Sequence, residues 1–222
     1  MIRNSLRLEV LRSLDYFNAA IGEYPWKQYS VIQGGDGGME YAMSTLITGG
    51  RDYEGLVGVM AHELAHSWFQ HVLASNEGKH AWMDEGFTSY ASNLTNSFLK
   101  GTNPSFERSI MSYTVLHNSG NQEPLTTHSD HYSTNRAYST GAYTMGSLVP
   151  YQLAYIMGQK KFEEAFRDYY YTWRFKHPEP ADLEKIMHFS LESNYEKPKY
   201  VWKSIFQYID MFNLILYYYN YE

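Results

Sequence analysis

Inside the apolar run EGLVGVMAHELAHSWFQHVLA, Glu54–Ala74, stand three residues of a different kind: His62, Glu63 and His66. Side chains four apart on a helix share one face, about 5–6 Å apart at Cβ, so both imidazoles can reach one small cation. Glu63 is turned about 100° around the axis from His62 and points beside such an ion instead of at it. That is where a general base for water belongs. Buried imidazoles and carboxylates are costly when unpaired, so core packing is a poor explanation of this trio. Zinc fits best, because it accepts neutral imidazole and carboxylate oxygen tetrahedrally and leaves a fourth position for water. A third ligand is expected from Glu85 in WMDEGFTSY, with eighteen residues between His66 and Glu85. A first-turn glutamate also suits a helix dipole, but beside this histidine pair the ligand reading prevails. His71, His80, His117, His128, His131, His177 and His188 lack such spacing and read as ordinary core or surface residues.

The elements that position these groups follow from periodicity. Leu6, Val10, Leu14, Phe17 and Ile21 recur at three and four, giving a helix with one buried stripe that Gly22 and Pro25 end. WKQYSVIQ, Trp26–Gln33, reads as a strand, and so does MEYAMSTLIT, Met39–Thr48, after a glycine-rich loop. Glu54–Ala74 is apolar on all sides and predicts a buried helix. Further helices are expected from Asp84 to Leu99, from Asn103 (a cap, with Pro104 in the first turn) to His117, from Gly141 to Gly158 with a kink at Pro150, and over two shorter stretches near 160–175 and 180–187. Asn118 to Ser139 is polar and reads as a long surface loop. The fold class is therefore α+β and mostly helical, a small N-terminal sheet followed by helices.

Composition narrows the function further. The formal charge is -6 and the 18 Lys and Arg are scattered along the chain with no basic cluster beyond the pair Lys160–Lys161, so nothing marks a nucleic-acid surface. Cysteine is absent, which removes disulfides and thiol nucleophiles and leaves metal binding to His, Asp and Glu. No apolar run reaches the roughly 18–20 residues of a membrane span. The opening MIRNSLRLEVLRSLDYF is interrupted by charges and lacks the apolar core of a signal peptide, so no compartment is assigned. Asn93 heads an Asn-Leu-Thr acceptor pattern inside a predicted helix and is read as chance.

HExxH at 62–66, Glu85 in the setting DEGF, HSWFQHVL after the metal helix and AYSTGAYTMG further along together resemble the gluzincin zinc aminopeptidases, the group of aminopeptidase N and leukotriene hydrolase. The resemblance runs from about Leu6 to about Met187. It implies a thermolysin-like zincin catalytic domain over residues 1–187 and one Zn2+ held by His62, His66 and Glu85, with Glu63 as general base. It further implies that Tyr143, with Tyr138 as its neighbour, stabilises the oxyanion. GGMEY, Gly37–Tyr41, is similar to the family's Gly-Ala-Met-Glu-Asn motif, so Glu40 is expected to bind a free α-amine while Gly37 and Gly38 offer backbone groups to the substrate. Peptides with a free N-terminus would then be the substrates.

The chain departs from that pattern at Tyr41, where the family has asparagine, and residues 188–222 do not follow it. The family's β-rich domain, which completes its amine site, and its helical C-terminal domains have no counterpart in this sequence, so a partial chain with further domains in a longer parent is expected. Three other readings use the same zinc site: a thermolysin-like endopeptidase, an epoxide hydrolase, and an inactive or fragmentary zinc-binding domain.

Overall fold

The computed structural model describes residues 2–35 and 37–190, with the side chains of 2–5 and 188–190 excluded. The expected tail, 188–222, lies outside the described residues from 191 onward, and the helix that contains Met187 continues to Ser190.

Helix α1, Ile2–Ala20, lays Phe17 and Ile21 into the core, with Leu6, Val10 and Leu14 packed against it, as the three-and-four spacing requires. A three-stranded sheet follows: β1 (Ser30–Gly34), β2 (Gly38–Tyr41) and β3 (Ser44–Thr48), in the order β1-β3-β2. β1 runs parallel to β3, and β2 runs antiparallel to it with Glu40 opposite Thr45. The single strand expected from Met39 to Thr48 is thus a hairpin. Its break falls at Ala42 and Met43, and Met43 takes a positive φ of 59°, which no alternation of side chains reveals. The fold makes β2 an edge strand and aims Glu40 toward the helices.

Helix α2, Tyr53–Trp68, is capped by Asp52, whose carboxylate accepts from the Gly55 N–H at 2.8 Å. Met60, Ala61, Leu64, Ala65 and Trp68 are fully buried, which explains the apolar character all round. Each large side chain so buried contributes about 1.5–3 kcal/mol. Trp68 Nε1–H donates to Gly22 O at 2.8 Å and ties the end of α1 to α2. The helix continues as a π-helical turn, Phe69–Leu73, and stops at Ala74, which is left-handed.

The chain then runs through α3 (Glu77–Ala81), a π turn (Trp82–Gly86) and α4 (Phe87–Lys100), which packs along α2. The next helix, α5 (Glu107–Asn118), starts later than Asn103 and Pro104 suggest: Phe106 is its flanking residue, and its ring stacks between Tyr90 and Tyr151. Burial of that ring sets the boundary in place of the capping residue. The polar stretch 118–139 is largely loop but ends in a short helix, α6 (Asn135–Ser139), capped by Thr134. A third π turn, Thr140–Met145, leads into α7 (Gly146–Met157), which accommodates Pro150 without interruption. Helices α8 (Gln159–Trp173) and α9 (Pro180–Ser190) close the bundle, and Phe166 of α8 packs against Phe87 and Phe69 at 5.6 and 5.9 Å between ring centroids.

Candidate metal centre and active site

Three side chains converge where α2 meets the Trp82–Gly86 turn. His62 Nε2 and His66 Nε2 lie 3.3 Å apart, and Glu85 Oε2 lies 3.2 Å from the first and 3.3 Å from the second. Tetrahedral zinc ligands at 2.0–2.1 Å are spaced about 3.3 Å from one another by trigonometry. Two imidazole nitrogens and a carboxylate oxygen at that spacing fit zinc in both donor chemistry and geometry. Burial alone would raise the Glu85 carboxyl, but the imidazoles of His62 and His66 outweigh it and hold the group well below the usual carboxylate range. It is therefore an anion, ready as a ligand.

His66 is turned by a neighbour that the spacing argument did not single out. Its Nδ1 faces Asp84 Oδ1 at 2.7 Å, with Thr88 Oγ1 at 3.3 Å, and both His66 and Asp84 are 1% exposed. Burial opposes charge on the ring, yet Asp84 and Glu85 raise its pKa well above the ordinary value. Asp84 was legible only as the residue before Glu85.

Glu63 stands beside this triad as its position in the helix requires. It is buried, and one carboxylate oxygen, Oε2, has no hydrogen-bond partner. Burial, reinforced by Glu40 and Glu85 against the opposing effect of His66, pushes its carboxyl up to about 7. Gly38 of β2 lies directly against it. A Cβ at Gly38 would overlap the Glu63 carboxylate and come within 2.7 Å of Val59 Cγ1, so only glycine lets the strand approach this closely. Gly37 behaves otherwise. Its φ is +81°, its N–H donates to Thr48 Oγ1 and its carbonyl accepts from the Thr48 N–H at 2.6 Å. Both of its backbone groups are consumed inside the hairpin, which corrects the expectation that they face a substrate.

Glu40 reaches His66 from the edge strand on the side that faces Asp84, with Oε1 4.0 Å from His66 Nδ1. Burial raises its carboxyl above the ordinary value, partly offset by His66. Tyr143 reaches the site from the Thr140–Met145 turn. Its hydroxyl donates to Glu85 Oε1 at 2.6 Å, and its ring stacks over His62 at 5.9 Å between centroids. Burial and the adjacent Glu85 raise its pKa, so the phenol keeps its proton. The structure thus brings His62, Glu63, His66, Glu85 and Tyr143 together, with Gly38 against the Glu63 carboxylate and Glu40 beside His66 on its Nδ1 side.

Glu85 and Tyr143 each sit in a π-helical turn, and Gly86, which ends the first, meets Gly146, the residue just after the second, backbone to backbone. Such turns recur at functional sites because one extra residue re-aims the side chains around it. A Cβ at Gly146 would lie 2.8 Å from Gly86 Cα and 3.2 Å from Trp82 Cβ. Gly146→Ala is expected to cost about 1–3 kcal/mol, since backbone cannot swing aside as a side chain can. Thermal unfolding checks the stability loss, and zinc titration checks the accompanying displacement of Glu85.

A family model, the Peptidase family M1 domain, matches residues 10–205. The chain belongs to peptidase family M1. Among its M1 relatives, leucine aminopeptidase 2-1 of Meyerozyma guilliermondii is 30% identical over 69% of this chain and 28% of that protein. Leucine aminopeptidase 2 of Phaeosphaeria nodorum is 26% identical over 82% of this chain and 32% of that protein. The solved structure of native yeast LTA4 hydrolase superposes with a TM-score of 0.76 at 23% identity, covering 90% of this chain and 34% of the other. An M1 zinc metallopeptidase from Deinococcus radiodurans gives 0.73 at 20% identity, covering 90% and 44%. These structures establish the fold as that of the M1 catalytic domain, helical with a small sheet. The chain spans about a third of the length of these two curated relatives. No helix among the described residues is long and apolar enough to cross a membrane.

Proposed function

We propose that this M1 chain carries the catalytic site of a zinc-dependent aminopeptidase, a hydrolase that removes the N-terminal residue from peptides with a free α-amine. The observation that carries the reading is Glu40: an edge-strand carboxylate held 4.0 Å from a ring of the metal-ligand set. His62, His66 and Glu85 hold one Zn2+. Bound zinc supplies a Lewis acid that polarises the peptide carbonyl and acidifies water toward a pKa of about 7.

The chain's own groups do the rest. Glu40 accepts hydrogen bonds from the substrate's α-ammonium and fixes its distance from the ligands, so that only the first peptide bond reaches them. Glu63 takes a proton from the attacking water as its oxygen adds to the carbonyl carbon. The C–N bond then breaks, and Glu63 passes that proton to the departing amine. Tyr143 turns its O–H from Glu85 to the oxygen on which negative charge develops. Gly38 leaves room for the Glu63 carboxylate beneath the edge strand. Leucine aminopeptidases among the relatives support the exopeptidase reading over a thermolysin-like endopeptidase. Their greater length supports further domains in a longer parent protein, beyond the span described by this chain.

Aminoacyl chromogenic substrates with a free amine are expected to be cleaved, and their N-acetylated counterparts to be refractory. Glu40→Gln is expected to lower kcat/KM for the free-amine substrate by about 10- to 100-fold, the worth of a hydrogen bond to a charged group. Equal cleavage of free and acetylated substrates would refute the amine-binding role and leave an endopeptidase using the same zinc.

A further inference from the structure

The two histidines of the metal set are held in unequal ways. His62 is 21% exposed in its side chain, its hydrogen-bond contacts in the site run through Nε2, and its ring leans on Tyr143. His66 is buried and carries a second bond on its far nitrogen, from Nδ1 to Asp84 Oδ1 at 2.7 Å. A ring nitrogen that points at a carboxylate must carry the proton, which leaves the other nitrogen with its lone pair free for a metal. The carboxylate lies in the residue next to the ligand Glu85, on the same π turn, so placing one places the other.

We propose that Asp84 is the positioning residue of the metal centre: it accepts the Nδ1–H of His66, locks that ring with Nε2 toward the metal, and through its negative charge makes His66 the stronger of the two imidazole ligands. The inference rests on the zinc reading of His62, His66 and Glu85. Thr88 Oγ1, 3.3 Å from the same nitrogen, helps define the pocket into which the ring fits. A carboxylate behind a ligating imidazole strengthens the ligand, and its removal costs about 10- to 100-fold in metal affinity. Asp84 touches neither substrate nor metal, so its effect must appear in metal binding before it appears in turnover.

The test compares the 222-residue chain with Asp84→Asn and Asp84→Ala, titrating each with Zn2+ in competition with a chromophoric chelator. Two-dimensional 15N spectra of the histidine rings read the tautomer of His66 in the loaded protein. Circular dichroism of the metal-free chains checks that each variant folds. Asp84→Asn is expected to weaken zinc by about tenfold and Asp84→Ala by about a hundredfold. The downfield Nδ1 proton of His66 is expected to move in the first variant and to vanish in the second. A general loss of packing would shift neither the tautomer nor the affinity of a folded Asp84→Asn chain, because that variant keeps the side-chain shape. Zinc affinity and His66 spectrum unchanged in folded Asp84→Asn would overturn the proposal, even if Asp84→Ala fails to fold. Failure of the unaltered chain to bind zinc at all would instead overturn the metal reading itself.

Discussion

Replacing Glu63 with glutamine is expected to lower kcat by about 10²- to 10⁴-fold, the range for a positioned general base, while one zinc per chain stays bound. Glutamine matches the shape of the side chain and cannot take a proton from water. Because Glu63 is no part of the ligand triangle, metal titration should give the same stoichiometry before and after the change. Stability should move in the opposite direction to activity. The Glu63 carboxyl is pushed up to about 7 from a reference of 4.5, so the folded chain binds its proton more tightly than the unfolded chain does. Stability therefore falls as pH rises from about 4.5 to about 7, since the unfolded chain releases that proton first. Glutamine removes this loss. In metal-free protein, Glu63→Gln is expected to raise the unfolding midpoint at pH 8 and leave it nearly unchanged at pH 4. The pH 8 gain should be about 1–2 kcal/mol after discounting for solvent screening. Thermal scans in chelator at the two pH values check this. Equal effects at both would show that Glu63 is not strained by burial.

The ease of reading this site from sequence varied with the range of the interactions. His62, Glu63 and His66 are legible because four residues on a helix make a fixed local geometry, and the apolar sequence around them says that the face is buried. Glu85 was read from an acidic helix start following the histidine pair, a looser signal, since the turn between α2 and α4 is irregular and sets no period. Glu40 and Tyr143 required the family wholly: a glutamate in a glycine-rich stretch and one tyrosine among 22 carry no local signal. The hairpin at Ala42 and Met43 went unseen because its turn uses a left-handed methionine instead of the usual Asn-Gly pair. The π turns were equally hidden. One inserted residue in a helix leaves hydrophobic spacing almost untouched, yet it places Glu85 and Tyr143 in a shared centre. Gly86 and Gly146 are the trace those turns leave in the sequence, and each looks like an ordinary helix glycine until the two are seen in contact. Gly37 misled for a related reason: a glycine beside a motif suggests substrate contact, whereas its hydrogen bonds to Thr48 show that it closes the loop.

Tyr143→Phe is expected to reduce kcat by about 10²- to 10³-fold, in line with loss of one oxyanion donor, with KM changing little. The hydroxyl rests on Glu85 Oε1 at 2.6 Å in the free site. To serve the oxyanion it must leave that bond, so its full value appears only where charge develops, which is the signature of an effect on kcat. The same geometry predicts a second consequence. Glu85 uses Oε2 toward the histidines and Oε1 toward Tyr143, so phenylalanine frees one oxygen and allows the carboxylate to rotate. Zinc affinity should then weaken by several-fold in Tyr143→Phe, far less than the loss in rate. Chelator competition and steady-state kinetics on the same preparation separate the two effects. A drop in rate that disappears at saturating zinc would assign Tyr143 to holding Glu85 alone. A drop that persists, with KM unchanged, identifies the phenol as a donor to the reacting oxygen.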